Sequence, residues 1–143
     1  MKYLNNVCRE VLRVDPSVPL TARQAACDDI IEGQFVPKDT LMHFATLVIN
    51  MHPELWGEDA REFRPERWDE LKDVPNTHFL TFQQGPHACL GRKFADIELM
   101  VLLAVLIGSF EFGKVPGRKV TKYSLVTMRP VGGLHLRVSK VTK

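Results

Sequence analysis

The chain has 143 residues, of which 45% are hydrophobic and 25% charged, with a formal net charge of +2. These values are typical of an ordinary soluble globular protein of one domain at most, or of a piece of a larger domain. The small charge and the absence of a Lys/Arg run argue against nucleic-acid binding. Three widely spaced cysteines indicate neither a disulfide framework nor a structural zinc site.

The first predicted element is a helix over residues 1–14. Asp15 precedes Pro16, and a residue before proline is disfavoured in the helical region, so we expect the helix to end near Val14. The pattern already runs at Tyr3, which leaves little room for an N-cap and suggests that upstream sequence is missing. Apolar side chains recur at helical spacing at Leu4, Val7, Cys8, Val11 and Leu12.

The middle of the chain predicts short elements. Residues 15–23 are extended because they contain two prolines. Residues 28–49 indicate short strands, interrupted at Gly33 and Pro37, with a turn near residues 38–39. A short helix is then predicted over residues 46–51, and the proline at position 53 can open another helical turn.

Residues 57–87 predict a long, mostly irregular loop, and loops of this length are usually functional or disordered. Disordered segments are poor in aromatic residues. This loop has four of them, so we expect it to be packed. The four are Phe63, Trp68, Phe79 and Phe82.

The remaining segment predicts a long helix and a strand. The helix, over residues 90–107, is apolar almost all round from residue 99, but that stretch is too short to span a bilayer. We therefore expect it to be buried in a core larger than this chain supplies. The tail around Leu136 alternates, which predicts a strand paired with residues 123–128 through the turn at residues 132–133.

Cys89 is the first candidate for chemistry. It lies where a loop turns into the start of the long helix, and the partial positive charge there stabilises a thiolate. Gly85 and Gly91 allow the backbone to approach a ligand closely. Such a thiolate suits iron or copper, or a nucleophile; a buried free cysteine is an equally good local interpretation.

Charged residues form a second group of candidates. Glu10 and Arg13 share a helix face, although their spacing alone favours an exposed ion pair. Arg67 lies between a proline and an aromatic residue, where it could be buried against a carboxylate or could simply be solvated. Arg23 follows the prolines and could meet an anion, but taken alone it indicates nothing.

Together these segments resemble the C-terminal part of a cytochrome P-450, the haem-thiolate monooxygenase family, in a form similar to fungal members. The helical Glu-x-x-Arg is Glu10 and Arg13, and the Pro-x-Arg-aromatic meander is "PERW", residues 65–68. Each motif is weak alone, but three in the family's order are specific. The haem-binding signature Phe-x-x-Gly-x-Arg-x-Cys-x-Gly reads "FQQGPHACLG" here, with Phe82, Gly85, His87, Cys89 and Gly91.

The resemblance implies a mixed α+β fold that is mainly α. Its expected parts are the Glu-x-x-Arg helix, small β hairpins, the meander, the cysteine-ligand loop, a long buried helix and a C-terminal hairpin. Residues 1–143 would form a single partial domain, the C-terminal third of the fold. The N-terminal part, with its oxygen-activating helix, would be absent through a truncated gene model or an incomplete chain.

The resemblance also assigns roles at the haem. Cys89 would be the axial thiolate ligand of haem b, whose iron it would make more able to cleave O–O bonds. Phe82 would pack beside the sulfur, and Arg23 would pair with a propionate. Where the family usually has a propionate-binding arginine, this chain has His87, whose charge depends on pH.

Further roles follow from the same resemblance. Glu10, Arg13 and Arg67 would form a structural triad that holds the meander beneath the haem, and loss of one buried partner would cost about 3–5 kcal/mol. Arg92 and Lys93 would face an acidic electron donor, although a solvated helix face is as good an interpretation. Possible substrate contacts, for which plain core packing is the alternative, are Val18, Leu20, Thr21, Val126 and Thr127.

The implied activity is a monooxygenase that inserts one atom of O₂ into a small organic substrate, with electrons from a flavin-containing reductase. The fragment alone would be inactive. The alternatives are a haem-thiolate isomerase or dehydratase, and a non-catalytic remnant that binds no haem. For a full-length eukaryotic parent, the family implies the cytosolic face of the endoplasmic reticulum membrane.

Overall fold

A computed structural model describes residues 1–71 and 73–141, which form a mixed α and β structure with small antiparallel sheets. Its α-helices are α1 (Lys2–Val14), α2 (Thr46–Asn50), α3 (Pro53–Trp56), α4 (Arg67–Glu70) and α5 (Arg92–Ser109), with a 3-10 helix at Gly85–His87. Its strands are β1 (Thr21–Gln24), β2 (Asp29–Ile31), β3 (Gln34–Val36), β4 (Leu41–Phe44), β5 (Phe110–Lys114), β6 (Lys122–Ser124), β7 (Met128–Pro130) and β8 (Leu136–Lys140).

Each strand pairs with one other strand, in an antiparallel arrangement, within the described ranges. β1 pairs with β4, and Arg23 lies opposite Met42. β2 and β3 form a hairpin, as do β6 and β7, while β5 pairs with β8. The chain is therefore a set of small ribbons around its helices.

α1 ends at Val14, as predicted, and the Asp15 amide donates to the Val11 carbonyl at 2.8 Å. The helix contacts α2, α4 and α5. Its buried side is unusual because most of it is polar. The buried residues are Asn6, Cys8, Glu10 and Arg13.

The short elements predicted in the middle of the chain are confirmed. The strands β2, β3 and β4 are separated by turns near Gly33 and Asp39, both of which have positive φ. The predicted helix at residues 46–51 is α2, which is one residue shorter. As predicted, a helix, α3, begins at Pro53. The extended segment before them includes β1.

The long loop is packed, as its aromatic content predicts. Trp68 lies between Trp56 and Phe79 in edge-on contacts, with ring centroids 5.4 Å apart in both pairs. The centre of this cluster is buried, with Ala60 completely so. Phe63 is the exception among the predicted aromatics, since it is exposed.

The long helix differs from the prediction in its bounds. α5 starts at Arg92, because Gly91 is its N-cap, and ends at Ser109, because Phe110 is already extended in β5. Within this chain none of the described residues of α5 is buried, so burial in a larger core stays a prediction. α1 and β5 touch it, while apolar side chains such as Val101 and Val105 remain exposed.

The predicted pairing of the tail was wrong. β8 pairs with β5, with Phe112 opposite Val138, and not with residues 123–128. Those residues are paired locally, because the hairpin of β6 and β7 closes a three-residue turn and so orders fewer residues than the longer connection would. Among the helices that the structure describes, none has the length and apolar character needed to cross a membrane.

Candidate functional site

Cys89 lies in a tight loop just before α5. The 3-10 helix at Gly85–His87 begins with a left-handed glycine, Gly85, at φ 63°. The Cys89 amide then donates to the Phe82 carbonyl at 2.8 Å, which closes the loop. Gly91 caps α5 two residues after the cysteine. The thiol is thus held beside the start of an 18-residue helix, where the partial positive charge favours an anion.

The Cys89 side chain is exposed and lines a cavity of about 440 Å³ between α1, the cysteine loop and α5. The lining is mainly apolar, and among its described residues Cys89 provides the thiol. The lining residues are Leu12, Ser17, Val18, Thr81, Phe82, Gln83, Cys89, Ala95 and Leu99. A thiolate is a soft ligand for transition metals, and an apolar cavity with few polar groups is typical of cofactor sites.

A buried ion network lies on the other side of α1. Glu10 accepts hydrogen bonds from Arg13 Nε at 2.9 Å, from Arg67 Nε at 2.9 Å and from Trp68 Nε1 at 3.0 Å. The Arg64 amide donates to the same carboxylate at 2.9 Å. Glu10 and Arg13 have no exposed surface, and Arg67 is 1% exposed.

This environment decides the charge of Glu10. Burial opposes its ionisation, but the hydrogen bonds from Arg13, the Arg64 amide and Arg67 outweigh burial and hold the pKa of Glu10 below its usual value. The carboxylate is therefore ionised at neutral pH. Removing it would leave two guanidinium groups buried with too little negative charge.

A second carboxylate balances the charge of this network. Asp59 accepts from Arg67 Nη1 at 3.1 Å and from Arg64 Nε at 2.6 Å. Hydrogen bonds from Arg64, and then from Arg67, lower the pKa of Asp59. Arg64 also pairs with Glu70, which raises the pKa of the Arg64 guanidinium. Three carboxylates thus face the three arginines at positions 13, 64 and 67.

The structure corrects the interpretation of Glu10 and Arg13 as an exposed pair. Their spacing on α1 is compatible with an exposed or a buried pair. The choice depends on the loop after α3, which folds over this face and brings Arg67 within 2.9 Å of Glu10. That contact is separated by 57 residues in sequence, so helical periodicity does not reveal it.

Asn50, which was not predicted from the sequence, connects the ion network to the cysteine loop. Arg13 Nη1 donates to the Asn50 carbonyl at 2.7 Å. The Asn50 side chain donates to Thr81 Oγ1 at 2.8 Å and accepts from the Leu80 amide at 3.1 Å. Asn50 has no exposed surface. A polar residue after the apolar run "LVI" was the available signal.

The predicted substrate contacts are only partly brought together. Val18 lines the Cys89 cavity, whereas Leu20 is exposed and lies outside its described lining. Thr21 is in β1, also outside that lining. Val126 and Thr127 are exposed in the turn between β6 and β7. The hairpin of β6 and β7 contacts the segment that contains Val18, because the Met128 amide donates to the Ser17 carbonyl at 2.7 Å.

The predicted cationic residues are spread around the site. Arg92 lies over the Phe82 ring, with its guanidinium carbon 5.5 Å from the ring centroid. Lys93 and His87 are exposed. Arg23 is half-buried in β1 and donates to its neighbouring carbonyl, that of Ala22. Arg23 and His87 do not belong to the described lining of the Cys89 cavity.

Sequence comparisons identify the family of this chain. A sequence model of the family "Cytochrome P-450" matches residues 1–136. The chain is 38% identical to cytochrome P-450 monooxygenase sphH of Aspergillus fumigatus, over 99% of this chain and 27% of that protein. It is 39% identical to cytochrome P-450 monooxygenase claO of Ampulloclitocybe clavipes, over 91% of this chain and 29% of that protein.

A plant relative matches similarly: the chain is 35% identical to cytokinin hydroxylase of Arabidopsis thaliana, over 93% of this chain and 26% of that protein. The chain thus spans little more than a quarter of the length of these relatives. The family match covers nearly all of the chain, including the cysteine loop and the residues of the buried ion network. The chain belongs to the cytochrome P-450 family.

Proposed function

We propose that this chain provides the thiolate ligand and the proximal wall of a haem monooxygenase. The observation that carries this proposal is the position of Cys89, exposed on an apolar cavity at the start of α5. The family implies a haem iron cofactor. Haem b bound through the Cys89 thiolate would supply the oxygen-activating chemistry.

The residues present fit such a group. A haem is a flat, mostly apolar disc, and the side chains of Leu12, Val18 and Leu99 give the cavity an apolar wall. Phe82, which is half-buried, lies on the same wall and would shield the sulfur from water. The hydrogen bond from the Cys89 amide to the Phe82 carbonyl orients the cysteine before any ligand arrives.

The ion network would fix the position of the cysteine loop. In our proposal, Glu10, Arg13 and Arg67 form the family's structural triad. Arg13 also donates to the Ala60 carbonyl at 2.6 Å, which ties the loop after α3 to α1. A fixed ligand loop lowers the cost of ordering the site when haem binds.

We assign the propionate contacts to Arg23 and His87. Arg23 is half-buried and His87 is exposed, so both guanidinium and imidazole have access to an anionic group at the surface. The histidine ring can donate an N–H hydrogen bond to a carboxylate.

The substrate would approach along the segment that leads to β1. Ser17 and Val18 line the Cys89 cavity, and the hairpin of β6 and β7 joins them through Met128. We therefore propose contacts with a small organic substrate from Val18, Leu20, Thr21, Val126 and Thr127.

The proposed reaction inserts one atom of O₂ into the substrate and reduces the other to water. A flavin-containing reductase would donate the electrons, and the exposed cations Arg92 and Lys93 would form part of its docking surface. For a full-length parent we propose the cytosolic face of the endoplasmic reticulum membrane, from the family's eukaryotic members.

We further propose that residues 1–143 are one partial domain, the C-terminal third of the parent fold. The relatives are much longer than this chain. α5 also exposes the apolar side chains of Phe94, Ile97 and Val101. Apolar surface of this extent usually meets another part of a protein.

The exposed apolar surface of α5 also favours a second candidate function, a non-catalytic remnant that binds no haem. The buried hydrophobic residues of the described chain are few: Cys8, Ala25, Trp56, Ala60 and Trp68. A core this small stabilises a chain of this length weakly. The chain on its own would then fail to hold the cysteine loop.

Haem titration of the chain separates the two candidates. We expect the wild-type protein to take up haem and to give the reduced carbon monoxide difference spectrum typical of thiolate ligation. Cys89→Ala should lose both, whereas Cys27→Ala, which removes an exposed cysteine outside the described cavity lining, should keep both. A thiolate-type spectrum in the Cys89→Ala protein would disprove the assignment.

Haem uptake by the wild-type chain tests whether the chain is a non-catalytic remnant. If the wild-type chain takes up no haem while its Cys89 thiol is rapidly alkylated, the remnant is supported and the monooxygenase proposal fails for this chain. Uptake at equimolar haem excludes the remnant.

A further inference from the structure

The Asn50 side chain has contacts in two directions. Its amide nitrogen donates to the Arg13 carbonyl at 3.2 Å and to Thr81 Oγ1 at 2.8 Å, while its oxygen accepts from the Leu80 amide at 3.1 Å. Thr81 in turn donates to the Leu12 carbonyl at 2.8 Å. These bonds join α1, α2 and the loop before Cys89 at a point with no exposed surface.

The bonds form a continuous route between the ion network and the thiol. Glu10 binds Arg13, Arg13 binds the Asn50 carbonyl, and Asn50 binds Leu80 and Thr81. The next residue in the chain, Phe82, accepts the hydrogen bond from the Cys89 amide. Removing the amide of Asn50 breaks this route at its centre.

Thr46 adds a second contact from the same helix face. It lies four residues before Asn50 on α2 and is 1% exposed. Residues four apart on a helix share a face. Gln83 Nε2 lies 3.3 Å from Thr46 Oγ1, so both residues face the loop before Cys89.

We propose that Asn50 is a positioning residue for the Cys89 thiolate, acting through Thr81 and Phe82. This inference rests on the proposed haem-ligand function of Cys89. Asn50 does not belong to the described lining of the cavity, so it acts on the ligand loop and not on the cofactor. Its loss should loosen residues 80–89 and weaken haem binding while the remote strands stay ordered.

Hydrogen exchange tests the first half of the proposal without any haem. In Asn50→Leu, we expect amides of residues 80–89 to exchange at least about tenfold faster, the ratio for a loss of about 1.4 kcal/mol. Amides of β5 and β8 should be unchanged. Asn5→Leu is the matched control, because Asn5 is exposed and its side chain makes no hydrogen bond within the described chain.

Thr81→Val is the second variant, in case Asn50→Leu does not fold. It removes one hydroxyl from the route and keeps the side-chain volume. The faster amide exchange that it causes should be confined to residues 80–89. Equal acceleration in β5 and β8 would mean general destabilisation and would overturn the positioning role, as would unchanged exchange at residues 80–89.

Haem affinity tests the second half. If wild-type protein and Asn5→Leu bind haem, we expect about a tenfold weaker affinity or more in Asn50→Leu and in Thr81→Val. Equal affinity in all four proteins overturns the inference and leaves the haem proposal intact. Absence of haem binding in the wild-type protein overturns both.

Discussion

At the scale of single residues, the buried ion network depends on hydrogen bonds to the ionised carboxylate of Glu10. Glu10 collects donors from two arginines, one backbone amide and one indole, all inside the protein. Trp68 is the least expected member, since its ring also packs between Trp56 and Phe79 and lies 3.8 Å from the Arg9 guanidinium carbon. One side chain thus belongs to the apolar cluster and to the ion network.

We predict that Trp68→Phe destabilises the protein more than Trp56→Phe. Both changes remove a similar volume and one indole donor. Trp68 donates to the ionised Glu10, a bond worth about 1.5–3 kcal/mol, whereas Trp56 donates to the neutral Ile49 carbonyl, worth about 0.5–1.5 kcal/mol. Urea unfolding of the two variants measures the difference, and equal losses would contradict a special bond at Glu10.

At the scale of elements, short helices and hairpins position the site. α2 has five residues, yet it presents Thr46 and Asn50 to the cysteine loop. β6 and β7 form a hairpin that is bonded to Ser17 beside the cavity. The C-terminal strand, β8, pairs instead with β5, the strand that directly follows α5.

Cross-linking tests the pairing of the tail. Phe112 and Val138 lie directly opposite each other in β5 and β8, and opposed strand residues are close enough for a disulfide. We expect Phe112→Cys/Val138→Cys to form this bond on oxidation, with the linked peptides identified by mass spectrometry. Tyr123→Cys/Val138→Cys is the control that represents the rejected pairing, and efficient linkage there would contradict the observed sheet.

At the scale of the whole molecule, the distribution of charge makes stability depend on pH. Ion pairs with arginine and lysine lower the pKa of Glu10, Asp59, Asp69 and Glu70. The usual values are 4.5 for the glutamates and 3.8 for the aspartates. The folded chain therefore binds fewer protons than the unfolded chain in acid.

We expect this stability to be fully present above the usual pKa values and to be lost as pH falls through the lower, folded values. The free energy of unfolding should be nearly constant from pH 7 to about pH 5 and then decline. Urea titrations at several pH values measure it. Asp59→Asn, which removes one of the four carboxyls, should show a shallower decline; a steeper one would contradict the assignment.

Several elements were predictable because their signals are local. Pro16 ended α1 and Pro53 opened α3, since proline restricts the backbone wherever it occurs. The packed loop followed from its aromatic content, and the Cys89 candidate from a short motif. The pairing of β8 was not predictable, because two ribbons competed for it and the alternation of side chains fits both.

The sequence by itself determined the family, the helix boundaries set by proline, and the choice of Cys89 as the candidate ligand, because each depends on residues that are near neighbours along the chain. The tertiary structure decided that Glu10 and Arg13 are buried, that Asn50 joins them to the cysteine loop, and which strand pairs with β8. These features require contacts between residues far apart in sequence, such as Glu10 and Arg67, which are separated by 57 positions. Such contacts depend on how the elements pack, and local periodicity contains no information about that.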